Sequence, residues 1–183
     1  MPSKHTYASA LSPEYPLLGL LIKQPAHGYT LHQRLSTDHL GQIWHISLSQ
    51  TYSILKRLET HGFIIGKMQK QVGSPARRHF EATPKGVKRF DEWLQTPSGS
   101  SVRAIRVEFI TRLYFALARN KTQASHLIDE QIIESNKRLD ILKSALNLLP
   151  LDQTFNRLAL ELRVRQLESI LDWLPQCSTM LGL

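Results

Sequence analysis

Cysteine is almost missing from this chain: among 183 residues there is one, Cys177. An intramolecular disulfide is therefore excluded, and a disulfide-stapled secreted scaffold with it. Such cysteine usage fits a reducing cytoplasm. Metal-ligand patterns are missing as well. His27 and His32 lie five apart, so they do not stack on one helix face, and with a lone thiol neither a metal centre nor a cofactor is expected. No apolar run reaches the ~18 residues of a membrane helix, and the opening MPSKHTYASA lacks the apolar core of a signal peptide. There is no Gly-rich phosphate loop and no pattern of nucleophile, base and orienting group, so the chain does not read as an enzyme. Aromatic residues make up only 8% against 42% hydrophobic residues, which fits a mainly helical protein.

Acidic residues are scarce, and unevenly so. The chain has 23 Lys and Arg against 15 Asp and Glu, a net charge of +8. Residues 1–98 hold 12 basic and 6 acidic side chains, whereas 99–183 hold 11 and 9, and seven of the eight histidines lie in the first part. A basic first domain implies a polyanionic partner.

Ser12-Pro13-Glu14 is a helix start, with a capping hydroxyl, Pro at the first position and an acid near the positive end of the dipole. Leu17, Leu18, Leu20, Leu21 and Ile22 follow, until Pro25 and Gly28 break the run. A second helix from Tyr29 to about Leu40 turns Leu31, Leu35 and Tyr29 inward, and Gly41 closes it. Ile43, Trp44 and Ile46 form an apolar link, a short strand or a packed loop. Ser47 is the expected N-cap of a third helix that ends at Gly62. Two extended runs, 63–70 and 77–82, flank a turn containing Gly73 and Pro75 and read as a hairpin. Thr83-Pro84 restarts a helix with Val87, Phe90, Trp93 and Leu94 on one side. TPSGS, residues 96–100, marks the domain boundary, giving domains of 1–97 and 98–183.

Beyond it the pattern is purely helical. Ile105, Phe109, Leu113 and Ala116 make one stripe. Thr122 caps a long helix in which Ile128, Ile132, Ser135, Leu139, Leu142, Leu146 and Leu149 alternate spacings of four and three. Pro150 breaks it and Asp152 recaps. Leu160, Val164, Leu167, Leu171 and Leu174 then repeat the pattern, flanked by Phe155, Leu158, Leu162 and Ile170. The expectation is a coiled-coil-like helical hairpin that also pairs with a second copy, with Ile105, Phe109, Leu113, Leu139, Leu142, Leu146, Leu160, Leu167 and Leu171 as dimerisation residues.

Three helices, a hairpin and a fourth helix make a winged helix-turn-helix, in which the third helix enters the DNA major groove and the hairpin lies along the backbone or minor groove. The third helix has two faces. Tyr52, Ile54, Leu55 and Leu58 can bury. Ser49, Ser53, Lys56 and Thr60, flanked by Gln50, Thr51 and Arg57, form a small, polar, basic face with no carboxylate before Glu59. The expected DNA contacts are Ser47, Ser49, Gln50, Thr51 and Ser53 toward bases and phosphates, Gln50 by a two-bond amide–adenine contact, with Lys56 and Arg57 on phosphates. From the wing come Lys67, Lys70, Ser74, Arg77, Arg78 and His79. A winged-helix module that binds protein without sequence-specific DNA binding is the alternative, but it requires an apolar or acidic recognition face. A membrane-surface protein requires a one-sided basic helix with exposed aromatics, and the late helices mix their charges.

The stretches YPLLGLLIKQPAHGYTLHQRL, SQTYSILKRLETHGFI and GSPARRHFEATPKG resemble the PadR family of bacterial transcriptional regulators, and SVRAIRVEFITRLYFAL resembles the start of the C-terminal domain of its virulence-activator-like branch. The resemblance implies a dimeric, cytoplasmic transcription factor, without membrane association, that binds an inverted repeat in double-stranded DNA. Some relatives respond to phenolic or drug-like molecules at the dimer interface, which implies a small aromatic effector. Thr30 stands where the family often has an acid, Ser53 where many members have Pro, and Ser74 where the wing often has Arg. That last departure shifts the backbone contact to Arg77 and Arg78.

Overall fold

The computed structural model describes residues 12–37, 40–71 and 74–183, with residues 70, 71 and 74–76 described by backbone alone. The signal-peptide reading of the first ten residues and the Gly73 turn lie outside the described residues. The chain folds as two units, Met1–Thr96 and Pro97–Leu183. The first contains α1 (Glu14–Lys23), β1 (Ala26–His27), α2 (Gly28–Thr37), α3 (Leu48–Thr60), β2 (Ile64–Gln71), β3 (Ser74–Ala82) and α4 (Pro84–Gln95). This is the winged helix-turn-helix that the element order implies.

The strands form one antiparallel sheet in the order β1-β3-β2. The β1 strand was not expected. Pro25 and Gly28 read as a plain break, yet between them Ala26 pairs with Phe80 and His27 with His79. Two residues carry no period-2 signal, so only the neighbouring β3 makes them a strand. The link around Ile43–Ile46 packs instead as a turn and loop, held by Ile43 and Trp44 N–H groups donating to Leu40 O.

Leu17, Leu18 and Leu21 of α1, Leu31 and Leu35 of α2, Leu55 and Leu58 of α3 and Phe90 of α4 are fully buried and form the core of this unit. Tyr15 stacks on Trp93 with ring centroids 4.5 Å apart, fixing α1 to α4. Tyr29, expected inward, is exposed. The start of α4 lies against the end of α3. Thr83 caps α4 through Gly86 N–H and donates its own N–H to Phe63 O. Gly86 sits so close to that carbonyl that a Cβ would fall 2.0 Å from it.

The second unit opens with a continuous helical run: α5 (Val102–Ala104), a π-helical turn (Ile105–Phe109) and α6 (Ile110–Arg119). Two long helices follow, α7 (Lys121–Leu148) and α8 (Thr154–Leu181). The cap of α7 is Asn120, whose side chain accepts from Gln123 N–H at 2.7 Å, ahead of the expected Thr122. At α8 the expected Asp152 cap is replaced by Gln153, which makes no side-chain cap bond. The turn is held instead by Arg157, whose guanidinium donates to Leu146 O and Leu149 O at 3.2 and 2.7 Å, satisfying carbonyls that the end of α7 leaves open. Leu139 and Leu142 pack against Val164 and Leu167, with Leu160, Ile170 and Leu171 around them, and Lys143 pairs with Glu168 across the hairpin at 2.7 Å.

Polar groups are also buried here. Glu108 and Arg112 pair one turn apart with almost no exposure. Burial pushes the Glu108 carboxyl above its ordinary range, against the opposing pull of Arg112. The buried Gln131 amide accepts from Ser98 N–H at 3.1 Å and donates to Ser98 O at 3.2 Å, fastening the start of this unit to α7.

Replacing Gly86 by Ala drives a methyl into a backbone carbonyl that cannot turn aside. It should destabilise the chain by about 1–3 kcal/mol, read as a lower urea midpoint. An unchanged midpoint would show that α4 has room to move away.

Candidate nucleic-acid interface

Helix α3 is fixed at both ends by its own sequence. At the start, Ser47 Oγ accepts from Gln50 N–H at 3.1 Å and Gln50 Oε1 accepts from Ser47 N–H at 2.7 Å, a reciprocal capping box. At the end, Gly62 adopts φ 71° and Phe63 N–H returns to Leu58 O at 2.9 Å, closing the helix in a Schellman turn. Between them, Thr51, Ile54, Leu55 and Leu58 are buried. Ser49, Tyr52, Ser53, Lys56 and Thr60 are exposed, at successive spacings that lay one stripe along the helix.

Four of the expected contact residues are engaged in holding the helix: Ser47 and Gln50 close its cap, and Thr51 and Arg57 tie it to α2 and α1. Thr51 has no exposure. Its hydroxyl lies 3.1 Å from Ser47 O and 3.3 Å from His32 Nδ1, tying α3 to α2. It points inward because its position shares a helix face with Ile54, Leu55 and Leu58. Gln50 is exposed, but its carbonyl oxygen is engaged by the cap, so a two-bond contact with adenine would have to break or share that bond. Arg57 donates from Nε to the buried Glu14 carboxylate at 2.9 Å, joining α3 to α1, so its charge is already compensated. Tyr52, expected in the core, is 47% exposed. Gly28 explains its position: a Cβ there would lie 2.6 Å from Tyr52 Cε1, so the glycine lets the ring lie across the start of α2 and reach outward.

In the wing, β2 and β3 pair from Ile64↔Ala82 to Gln69↔Arg77, with an irregularity between Gln69 and Gln71. Alternation sends Arg77 and Arg78 to opposite faces. Arg78 donates from Nη2 to Glu59 Oε1 at 2.7 Å, and the same oxygen accepts from Gly66 N–H at 2.9 Å, so Arg78 fastens the wing to α3. Arg77 is exposed. Lys67 pairs with Glu81 on the outer face. His79, half-buried, meets His27 edge-on at 5.0 Å. Lys70 lies in β2 and Ser74 opens β3, but their side chains lie outside the described residues. Between the wing and the helices opens a concavity of about 600 Å³, lined by His27, Tyr29, Thr30, Tyr52, Arg77 and Arg78. Tyr29, Thr30 and Tyr52 are hydroxyl-bearing residues that the sequence reading did not assign to the interface, since it turned both tyrosines inward. The signal was His27-Gly28-Tyr29, where a side-chain-free position precedes a polar aromatic.

In the second unit, Ile105, Phe109, Leu113, Leu139, Leu142 and Leu167 are buried within a single chain, and Leu146, Leu160 and Leu171 are partly so. The two heptad seams face each other inside the hairpin, with Leu139 and Leu142 against Val164 and Leu167. A second stripe stays exposed: Leu148 and Leu151 at the hairpin turn, then Phe155, Leu158 and Leu162 on α8, with exposures from 55% to 86%. Among the described residues no helix is long and apolar enough to cross a membrane, and no three His, Cys, Asp or Glu side chains converge as metal ligands.

Residues 17–92 match the transcriptional regulator PadR-like family, and residues 105–182 match the virulence activator alpha C-terminal family. The negative transcriptional regulator PadR of Bacillus subtilis is 28% identical over 134 residues, covering 72% of this chain and 71% of that protein. Among solved structures, the chain is similar to Bacillus subtilis PadR in complex with operator DNA, at 24% identity and a TM-score of 0.44, covering 91% of this chain and 96% of that one. It is also similar to a PadR-like transcriptional regulator from Bacillus cereus, at 22% identity and a TM-score of 0.43, covering 95% and 99%.

Because Gln50 closes the cap, Gln50→Ala should lower stability by about 0.5–2 kcal/mol, measured as a fall in the urea midpoint. Gln50→Glu, which keeps the accepting oxygen, should recover most of the loss. A variant as stable as the parent would return Gln50 to the free outer face.

Proposed function

We propose that this chain, which matches the PadR-like family over residues 17–92, is a transcriptional regulator that acts in the cytoplasm as a homodimer and binds an inverted repeat in double-stranded DNA. The observation that carries this reading is the outer face of α3. It is polar and basic, its carboxylate Glu59 is engaged by Gly66 and Arg78, and it is held rigid by the capping box. Ser49, Tyr52, Ser53 and Lys56 are the residues that face bases and phosphates, and Arg77 on the wing meets the flanking backbone. Tyr29 and Thr30, at the N-terminal end of α2, add donors at the same concavity. A protein-binding recognition helix would need an apolar or acidic face, and this one is neither.

The second copy docks, on this reading, on the exposed stripe Leu148, Leu151, Phe155, Leu158 and Leu162. Each such side chain gains about 1.5–3 kcal/mol on burial, and a monomer gains nothing from leaving them in water. A two-fold dimer presents two α3 helices about one duplex turn, ~34 Å, apart or a multiple of it, so selection from a random DNA pool should return an inverted repeat with half-sites at that spacing.

Two variants test the two halves separately. Lys56→Ala combined with Arg77→Ala removes two cations per chain, and so four per dimer. It should flatten the logarithmic salt dependence of operator binding by about 0.9 unit for each phosphate no longer neutralised while leaving the preferred sequence unchanged. Equal slopes for parent and variant would remove Lys56 and Arg77 from the backbone contact. Phe155→Ser with Leu158→Ser should leave the helical content intact, because both side chains are exposed, yet convert the dimer to a monomer in sedimentation. A folded variant that stays dimeric would move the interface elsewhere.

A further inference from the structure

The C-terminal unit holds a second concavity, of about 490 Å³, that the DNA-binding reading does not use. Its walls come from residues 99–103, which run into α5, and from one face each of α7 and α8. Leu142, Leu167 and Ile170 form an apolar floor, and Arg103, Arg138 and Arg163 stand around it. Helical spacing produces this arrangement. Arg138 and Leu142 are one turn apart on α7, as are Arg163 and Leu167 on α8, so each helix offers a guanidinium beside a leucine of the hairpin core. No carboxylate lines the concavity. Three basic side chains of this unit have acidic partners: Lys143 with Glu168, Arg165 with Glu161, Arg112 with Glu108. Among the described residues, Arg103, Arg138 and Arg163 have none.

Three like charges around one apolar hollow repel one another, and a monoanion would leave two of them uncompensated. The geometry points to a binding site for an organic dianion, a phosphate monoester carried on an apolar or aromatic body. The phosphate fits because guanidinium forks meet its oxygens in pairs, and it carries about −1.5 to −2 at neutral pH. The body would lie on Leu142, Leu167 and Ile170. The volume falls within the range of about 300–1,000 Å³ that small-molecule sites occupy. The site lies within the C-terminal unit of one chain, so the inference does not require the DNA-binding reading. If that reading holds, the site is where a ligand would act on the regulator.

The test uses the full chain and three probes with one ring system: 1-naphthyl phosphate, 1-naphthalenesulfonate and 1-naphthol, with inorganic phosphate as a fourth. Calorimetry in the absence of DNA should show saturable binding of naphthyl phosphate, one per chain. It should be tighter than the sulfonate, and both naphthol and inorganic phosphate should bind at least tenfold more weakly. Arg138→Gln with Arg163→Gln should weaken naphthyl phosphate at least tenfold and leave naphthol unchanged, with the same sedimentation behaviour as the parent. Several results would overturn the assignment: no saturable binding, as when a carboxylate of a second copy fills the hollow; inorganic phosphate as tight as the naphthyl ester; or an unaffected double variant. Operator binding measured on the same samples reports on the DNA reading separately.

Discussion

One carboxylate oxygen sets the relation between the recognition helix and the wing. Glu59 Oε1 takes the N–H of Gly66, at the start of β2, and the guanidinium of Arg78, in the middle of β3. A hairpin projecting from a small core would otherwise swing about its base. Here both strands are tied to the last turn of α3, so the angle at which Arg77 is presented follows the angle of the helix. Gly66 makes this possible, since a Cβ there would lie 2.4 Å from Arg78 Nε and 3.0 Å from Glu59 Oε1.

The same division of labour runs through the rest of the N-terminal unit. Polar side chains that look alike in sequence fall into those that hold α3 and those that α3 displays. Ser47 and Gln50 hold its first turn, Thr51 meets His32 on α2, and Arg57 reaches the buried Glu14 on α1. Each bond removes a group from the outer face and stiffens the frame that carries Ser49, Tyr52, Ser53 and Lys56. Rigidity matters for reading base edges, because bidentate contacts discriminate only when the donor arrives in a fixed orientation.

In the C-terminal unit the corresponding division is between the seam inside the hairpin and the apolar stripe that runs from its turn along α8. One closes the hairpin upon itself, and the other is left in water. Arg157 clamps the turn by its bonds to Leu146 O in α7 and to Leu149 O just beyond it, and Gln131 anchors Ser98 at the start of the unit. The hairpin therefore needs no second chain to complete its inner seam, and the exposed stripe from Leu148 to Leu162 is a separate surface.

Much of the architecture was legible in the sequence, because periodicity and capping are local properties. The 3.6-residue spacing of α1 to α4, the Ser47 and Thr83 caps, the Gly62 stop and the four-three spacing of α7 and α8 all act within a few residues of one another. The acid-poor face of α3 and the basic N-terminal half were also visible as composition. Partner choice was not. Whether a heptad seam meets its own hairpin or another chain depends on what lies across from it, and α8 carries a second apolar stripe beside its seam. Gln50, Thr51, Arg57 and Arg78 each carry the chemistry to meet DNA, but Ser47, His32, Glu14 and Glu59 engage them first. Only Ser47 lies close by, in the cap, and Glu59 stands 19 positions from Arg78, across the wing. His32 and Glu14 are separated from theirs by 19 and 43 positions, and only packing of the helices brings them together. The two-residue β1 is the same case, since a strand that short exists only because Phe80 and His79 lie beside it.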